Sequence, residues 1–184
     1  EIMKDVYRDQ GVHAVPMACT GAQMGGWFRR EIRSTEDLRG LKFRIAGLGG
    51  MVMTRLGVVA QQLAPGDIYP ALERGVIDAA EYIGPYDDEK LGFNRIARFY
   101  YYPGWWEYAP STDMMFNARE WEALPAHYKH VLEAVGAECW HWVMARFDTL
   151  NPPAMRRLIA GGAQLRGYSR PIMDAAYRAT QEFY

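Results

Sequence analysis

The stretch "LKFRIAGLGGMVMTRLGVVAQQLAPGDIYPALERGVIDAAEYI", Leu41 to Ile83, decides the fold. At its start Leu41, Phe43 and Ile45 fall on one face and Lys42 and Arg44 on the other, the two-residue period of a strand. Gly49-Gly50 then opens a short helix through about Arg55. "VVAQQLA" (Val58 to Ala64) is strand-like, "GDIYPALERG" reads as a helix capped by Asp67 and closed by Gly75, and "VIDAAEYI" is the next strand. Strand, helix, strand, helix, strand is the pattern of a parallel sheet in an α/β layer.

Outward from this unit the pattern is coarser. On the N-terminal side, Glu1 to Gln10 reads as the end of a helix stopped by Gly11, and "VHAVPMAC" as an extended segment. "STEDLRG" (Ser34 to Gly40) is a single helical turn that Ser34 can cap and Gly40 can end. On the C-terminal side, "ARFYYYPGWW" and "STDMMFNA" are extended and rich in aromatic and apolar residues. A long helix runs from about Pro125 to Leu150, where Asn151-Pro152-Pro153 is expected to stop it. A second helix, a short strand at "AQLRGY" and a terminal helix from Pro171 follow.

The chain has 184 residues, enough for one domain with a real core. At 49% hydrophobic and 14% aromatic it is no disordered segment. A net charge of -1 gives no basic surface for nucleic acid. The opening "EIMKDVYRDQ" lacks an initiator methionine, so the reading expects a start inside a longer product, and the missing signal peptide is no sign of the cytoplasm. Cys19 and Cys139, 120 positions apart and outside any CxxC, read as two thiols rather than a bridge.

Arg44 is the last charge before the turn "GLGG". Ligands of open α/β sheets bind beyond the carboxyl ends of the strands, and a guanidinium beside a helix start suits a carboxylate. A surface arginine on the polar side of the strand is the other reading. "GLGG" itself is a tight turn, because Val52 stands where a dinucleotide loop needs its third glycine. His127, His130 and His141 lack metal-site spacing. Glu81 ends the third strand at the same edge as Arg44, as a salt-bridge partner, an acid/base group or part of an ion site. After it, Pro85 with Asp87, Asp88 and Glu89 reads as a helix start favoured by the dipole. Gln23, in "TGAQMGGWF", supplies an uncharged oxygen; with Glu81 and a free carbonyl it would suit a hard cation such as Na+ or Ca2+.

"TGAQMGGWF", "DLRGLKFRIAGLGG", "GVVAQQLAPGDIYPALERGVIDAAEYIGPYDDEKLGF", "YYYPGWW" and "LIAGGAQLR", in this order, resemble a tripartite ATP-independent periplasmic (TRAP) transporter solute receptor of the DctP family. Within it, the resemblance is to the branch that binds 2-oxo acids such as pyruvate. It implies an α/β fold of the periplasmic binding protein type II kind, two-lobed, with a long spanning helix and no enzymatic activity. The chain would be an interior fragment lacking the N-terminal part of the first lobe. Residues of about 24–80 and 151–170 would form the second lobe, about 81–120 part of the first, and about 125–150 the spanning helix. By position, Arg44 would grip the substrate carboxylate, and Gln23, Glu81 and the Tyr82 carbonyl would hold Na+ or Ca2+ beside it. Gln23 and the Tyr82 ring would also face the substrate; Tyr82 stands where the branch usually has Trp. The implied partners are a small carboxylate, the TRAP membrane permease subunits and a possible second copy of the chain, with a metal-assisted enzyme on 2-oxo acids as the alternative.

Overall fold

Residues 2–183 are described by a computed structural model, so Glu1 of the expected first helix lies outside them. In chain order the elements are α1 (Ile2–Asp9), β1 (Val12–Cys19), β2 (Gly26–Phe28), a 3-10 turn (Glu36–Leu38), β3 (Lys42–Arg44), α2 (Gly47–Arg55), β4 (Val59–Gln61), α3 (Pro65–Glu73) and β5 (Ala79–Ala80). They continue with α4 (Pro85–Leu91), a 3-10 turn (Phe93–Arg95), β6 (Phe99–Tyr102), β7 (Ser111–Asn117), α5 (Ala118–Ala123), α6 (Ala126–Ala160), β8 (Gln164–Gly167) and α7 (Arg170–Gln181). They fall into two compact units, one of residues 1–21 and 109–149, the other of 22–108 and 150–184.

The second unit holds a six-stranded sheet in the order β4-β3-β5-β2-β6-β8. Its heart is the expected one: β3 pairs in parallel with β4 on one side and β5 on the other. β2 is inserted antiparallel between β5 and β6, and β8 closes the far edge parallel to β6. The sheet is covered on both faces, and successive residues of a strand enter different cores. Phe28, Phe43, Ala79 and Tyr101 pack on one side with Leu41, Met53 and Ile172. Trp27, Ala80 and Tyr100 pack on the other with Ile68, Leu72, Phe93 and Leu158.

Asp88 is the polar anchor of the second core. Trp27 and Tyr100, cross-strand partners on β2 and β6, stack with centroids 3.9 Å apart. The Trp27 Nε1 and the Tyr100 hydroxyl both donate to Asp88 Oδ2, at 3.0 and 2.7 Å. Burial nonetheless holds the Asp88 carboxyl up at about 6. Of the three acids after Pro85, this one enters the core, while Glu89 forms a bidentate pair with Arg157.

The first unit pairs β1 with β7 antiparallel. His13 on β1 stacks on Trp121 of α5 at 3.9 Å, and the Asn117 side chain caps α5 by accepting from Arg119 N and Glu120 N. Gly136 on α6 is a close-approach glycine: a Cβ there would lie 2.6 Å from Val15 Cγ1 and 2.8 Å from the Pro16 oxygen. Cys19 is buried and Cys139 partly so, and both are free thiols.

Three expectations are corrected. Asn151-Pro152-Pro153 does not stop the long helix: α6 runs on to Ala160, with both prolines inside it. Two lost backbone donors would break a uniform helix. Here they fall where the chain passes between units, at 149/150, and the far side is held by packing. Ala154 and Leu158 are fully buried, and Asn151 Oδ1 accepts from Tyr86 N in the first turn of α4. Asp67 is no cap either: α3 begins at Pro65 after Ala64, since a proline at the first position already has the right φ. The turn at 36–38 has Thr35 before it with no side-chain cap, while Asp37 accepts from Arg33 N and Ser34 N. The sheet also takes in β6, hydrogen-bonded to β2, and the two compact units meet in sequence at 108/109.

Candidate functional site

Arg44 and Glu81 meet because β3 and β5 are parallel neighbours. Arg44 lies opposite Ala80, and the N–H of Glu81 donates to the Arg44 oxygen at 3.0 Å. Both side chains emerge at the carboxyl end of their strands, next to the first turn of α2. The first N–H groups of that helix have no intrahelical acceptor and carry the positive end of its dipole.

The Arg44 guanidinium is fixed by three hydrogen bonds: Nε to the Leu63 oxygen at 3.3 Å, and Nη1 to both the Glu81 oxygen and Oε1 at 2.6 Å. A guanidinium has five N–H groups. Among the described residues no acceptor meets the two on Nη2, so Nε and Nη1 are engaged and Nη2 keeps its donors. The Arg44 and Glu81 side chains are only 13% and 6% exposed, so the pair is shielded from water. Burial pushes the Glu81 carboxyl up to about 7; Arg44 pulls it down, the charges of Glu107 and Asp88 push it up, and a hydrogen bond from Trp106 lowers it.

Gln23 is buried, and its main-chain oxygen accepts from Gly104 N at 3.0 Å. The next residue, Met24, donates to the Ile83 oxygen at 3.1 Å, laying this segment along the end of β5. The glycines of "TGAQMGGWF" make this possible. Gly26 has φ +103, and a Cβ there would fall 2.9 Å from the Ala80 oxygen and 3.1 Å from Glu81 Cβ. Tyr82 is half-buried, its ring 5.9 Å from the Arg44 carbon.

Two residues escaped the sequence reading. Glu107 is half-buried, its carboxyl raised by burial and lowered by Arg44. Trp106 packs on Gly49 and helps to lower the Glu81 carboxyl. The signal was present in "YYYPGWWEY", where one acid stands among aromatics, but that cluster reads equally well as core. With Glu107 ionised, the site holds two carboxylates against one guanidinium and lacks a positive charge. Carboxylate, amide and main-chain oxygens are a donor set for a hard cation, so the residues fit Na+ or Ca2+. Among the described residues no group of three His, Cys, Asp or Glu comes together. Concavities of about 610 and 620 Å³ lie elsewhere, along His13 and Trp140 and along Arg39 and Arg178; neither is lined by Arg44 or Glu81. No described helix is long and apolar enough to cross a membrane.

Arg44 and Glu81 thus form a largely buried, hydrogen-bonded pair at the carboxyl ends of two parallel strands. Residues 3–184 match the family described as bacterial extracellular solute-binding protein, family 7 (DctP), and the chain belongs to that family. It is 50% identical over 182 residues to the monocarboxylate 2-oxoacid-binding periplasmic protein of Nostoc sp., covering 99% of this chain and 50% of that protein. A TRAP transporter solute-binding protein of Bordetella bronchiseptica, a mixed-occupancy dimer with copurified calcium and picolinate, is 51% identical with a TM-score of 0.94 over 98% of this chain and 54% of its own. One from Colwellia psychrerythraea, with bound calcium and pyruvate, is 35% identical with a TM-score of 0.94 over 99% and 56%. One from Pseudoalteromonas atlantica, with sodium and pyruvate, is also 35% identical, with a TM-score of 0.92. The fold is thus that of periplasmic TRAP receptors, and the chain spans about half the length of the relatives it matches.

Proposed function

We propose that this chain carries the ligand-holding part of a TRAP receptor that binds a small 2-oxo or 2-hydroxy monocarboxylate together with Na+ or Ca2+, for delivery to the membrane permease subunits. The observation that carries the reading is the split use of Arg44: Nε and Nη1 are bonded to Leu63 and Glu81, while the two N–H groups of Nη2 meet no acceptor among the described residues. A carboxylate on Nη2 gains charge-assisted bonds and the field of the α2 N-terminus. Glu81, Gln23 and the Tyr82 carbonyl, with Glu107 as an added candidate, would hold the cation; when bound, it supplies positive charge to a carboxylate and its neighbouring oxygen. The Tyr82 ring would wall the substrate. In the lobe assignment proposed with this reading, the six-stranded sheet belongs to the second lobe and α6 is the spanning helix.

No bond is made or broken in this reading. Receptors of this family serve transport, and the relatives with pyruvate or picolinate and a cation support the same ligand class here. A thermal-shift scan tests it, with pyruvate, other 2-oxo acids and lactate, each with and without Na+ or Ca2+. A ligand at a hundred times its Kd stabilises by roughly 2.7 kcal/mol. Loss of pyruvate during the incubation would instead favour a metal-assisted enzyme with Glu81 as general base. No shift with any pair would overturn ligand binding by this chain.

A further inference from the structure

Gln23 lies in the stretch between β1 and β2, where no ladder fixes the backbone, so bonds to neighbouring segments must hold it. Three of these run between main chains. The Gln23 oxygen accepts from Gly104 N at 3.0 Å, Met24 N donates to the Ile83 oxygen at 3.1 Å, and Gly25 N donates to the Tyr101 oxygen at 2.7 Å. The fourth comes from a side chain: the buried Tyr168 hydroxyl donates to the Gly25 oxygen at 2.7 Å. Tyr168 reaches that oxygen because β8 runs parallel to β6, and its own N–H donates to the Tyr102 oxygen at 3.0 Å. Its ring lies tilted on Tyr101, with centroids 4.9 Å apart, and meets Phe28 edge-on at 6.3 Å. The fit leaves no room at residue 25, where a Cβ would lie 2.6 Å from Tyr168 Cε2. Backbone presses on this segment as well: a Cβ on Gly104 would lie 2.7 Å from the Met24 oxygen and 3.0 Å from the Gln23 oxygen.

We infer that Tyr168 is a positioning residue for the cation site: its hydroxyl fixes the Gly25 carbonyl and so sets where the Gln23 side chain, two residues earlier, delivers its oxygen. The inference rests on the binding reading above for the role of Gln23. A side chain is held only as firmly as the backbone that carries it, and Gln23 is buried, with little room for another rotamer. Of the four bonds that pin residues 23 to 25, this is the one that a side-chain substitution can remove. Without the hydroxyl, the Gly25 oxygen loses a buried donor and its peptide is less tightly held. Outer partners that orient metal-binding groups typically change metal affinity by 10–100-fold when removed. Acting through two residues of backbone puts Tyr168 at the low end of that range. A tyrosine that only anchored β8 in the core would change stability and leave the cation's ligand where it was.

The experiment uses the 184-residue chain and two readouts. Tyr168→Phe keeps the ring and removes only the donor. Calorimetry with calcium chloride compares the wild type, Tyr168→Phe, Gln23→Ala and the double variant, a cycle that isolates what Tyr168 does through Gln23. NMR follows the Gln23 side-chain amide, identified by its absence in Gln23→Ala. Ile172→Val, a small deletion in the same core, is the control for lost packing. Tyr168→Phe is expected to lower calcium affinity about tenfold, to have no further effect once Gln23 is alanine, and to displace the Gln23 amide resonances. Ile172→Val is expected to do neither. An equal loss of calcium affinity with and without the Gln23 side chain, or unmoved Gln23 resonances in Tyr168→Phe, would overturn the inference. A wild-type chain that binds no calcium would sink the binding reading, and the Gln23 resonances would then decide alone for or against Tyr168, as they would if Gln23→Ala bound none.

Discussion

Arg44 Nη1 reaches Glu81 twice, lying 2.6 Å from its main-chain oxygen and 2.6 Å from Oε1. The first contact follows from the parallel pairing of β3 and β5; the second is an ion pair in a nearly dry setting. Taking two charges out of water is costly, and such a pair is weak grounds for stability on its own. Its geometric effect is clearer: it pins Nη1, with Nε held by Leu63, and leaves the two Nη2 N–H groups without an acceptor among the described residues.

Arg44→Lys separates charge from geometry. A lysine keeps the positive charge near Glu81 but lacks the planar fork, so both the Leu63 bond and the Nη2 edge are lost. Pyruvate affinity should fall by about 1.5–3 kcal/mol, the worth of hydrogen bonds to a charged group. Melting temperature should change less than in Arg44→Ala, which leaves Glu81 buried without its cation. Calorimetry and thermal melting read the two effects separately.

The pH dependence has two opposite signs. The Glu81 carboxyl, ordinarily at 4.5, is raised to about 7 in the fold, and Asp88 from 3.8 to about 6. The unfolded chain therefore gives up these protons first, and unliganded stability is lost as pH rises from about 4 through 7. Cation binding needs ionised Glu81, so calcium-dependent stabilisation should grow over the same range. Melts at pH 5.5 and 8, with and without calcium, check both; Glu81→Gln should flatten the calcium arm.

Much of this site was legible because it lies on a repeating unit. The alternation in "LKFRIA" placed Arg44, the breaks at Gly75 and Gly84 placed Glu81, and a parallel sheet brings the carboxyl ends of both strands to one edge. What pairs with that unit was not legible. β2 has three residues, two of them aromatic, and nothing local says that it enters antiparallel beside β5. Pro152 and Pro153 carried a correct local rule that packing overrode. Asp88 looked like one of three helix-start acids; only the stacked Trp27 and Tyr100 reveal that it faces inward. Trp106 and Glu107 gain their meaning from Gly49 and Arg44, more than fifty residues away.

Asp88 should behave as a structural acid. Asp88→Ala leaves the Trp27 Nε1 and the Tyr100 hydroxyl buried without an acceptor, at about 1–3 kcal/mol each. Tyr100→Phe removes one donor and should cost less. Urea denaturation measures both, and a small loss in Asp88→Ala would contradict the anchor role.

Gly26→Ala tests the close approach of β2 to Glu81. The left-handed φ of +103 and the 2.9 Å clash with the Ala80 oxygen act together. Strained positions of this kind cost of order 1–3 kcal/mol. Destabilisation with loss of cation response is expected, whereas Gly66→Ala, with open space around it, should be mild.

The central claim is that Arg44 and Glu81 hold a carboxylate and a cation side by side. Calorimetric titration of calcium with and without saturating pyruvate tests it most directly. Adjacent opposite charges predict that pyruvate tightens calcium, and calcium tightens pyruvate by the same factor, typically about 5–150-fold. The coupling should vanish in Arg44→Ala. Calcium affinity indifferent to pyruvate, or coupling that survives loss of Arg44, would contradict the account.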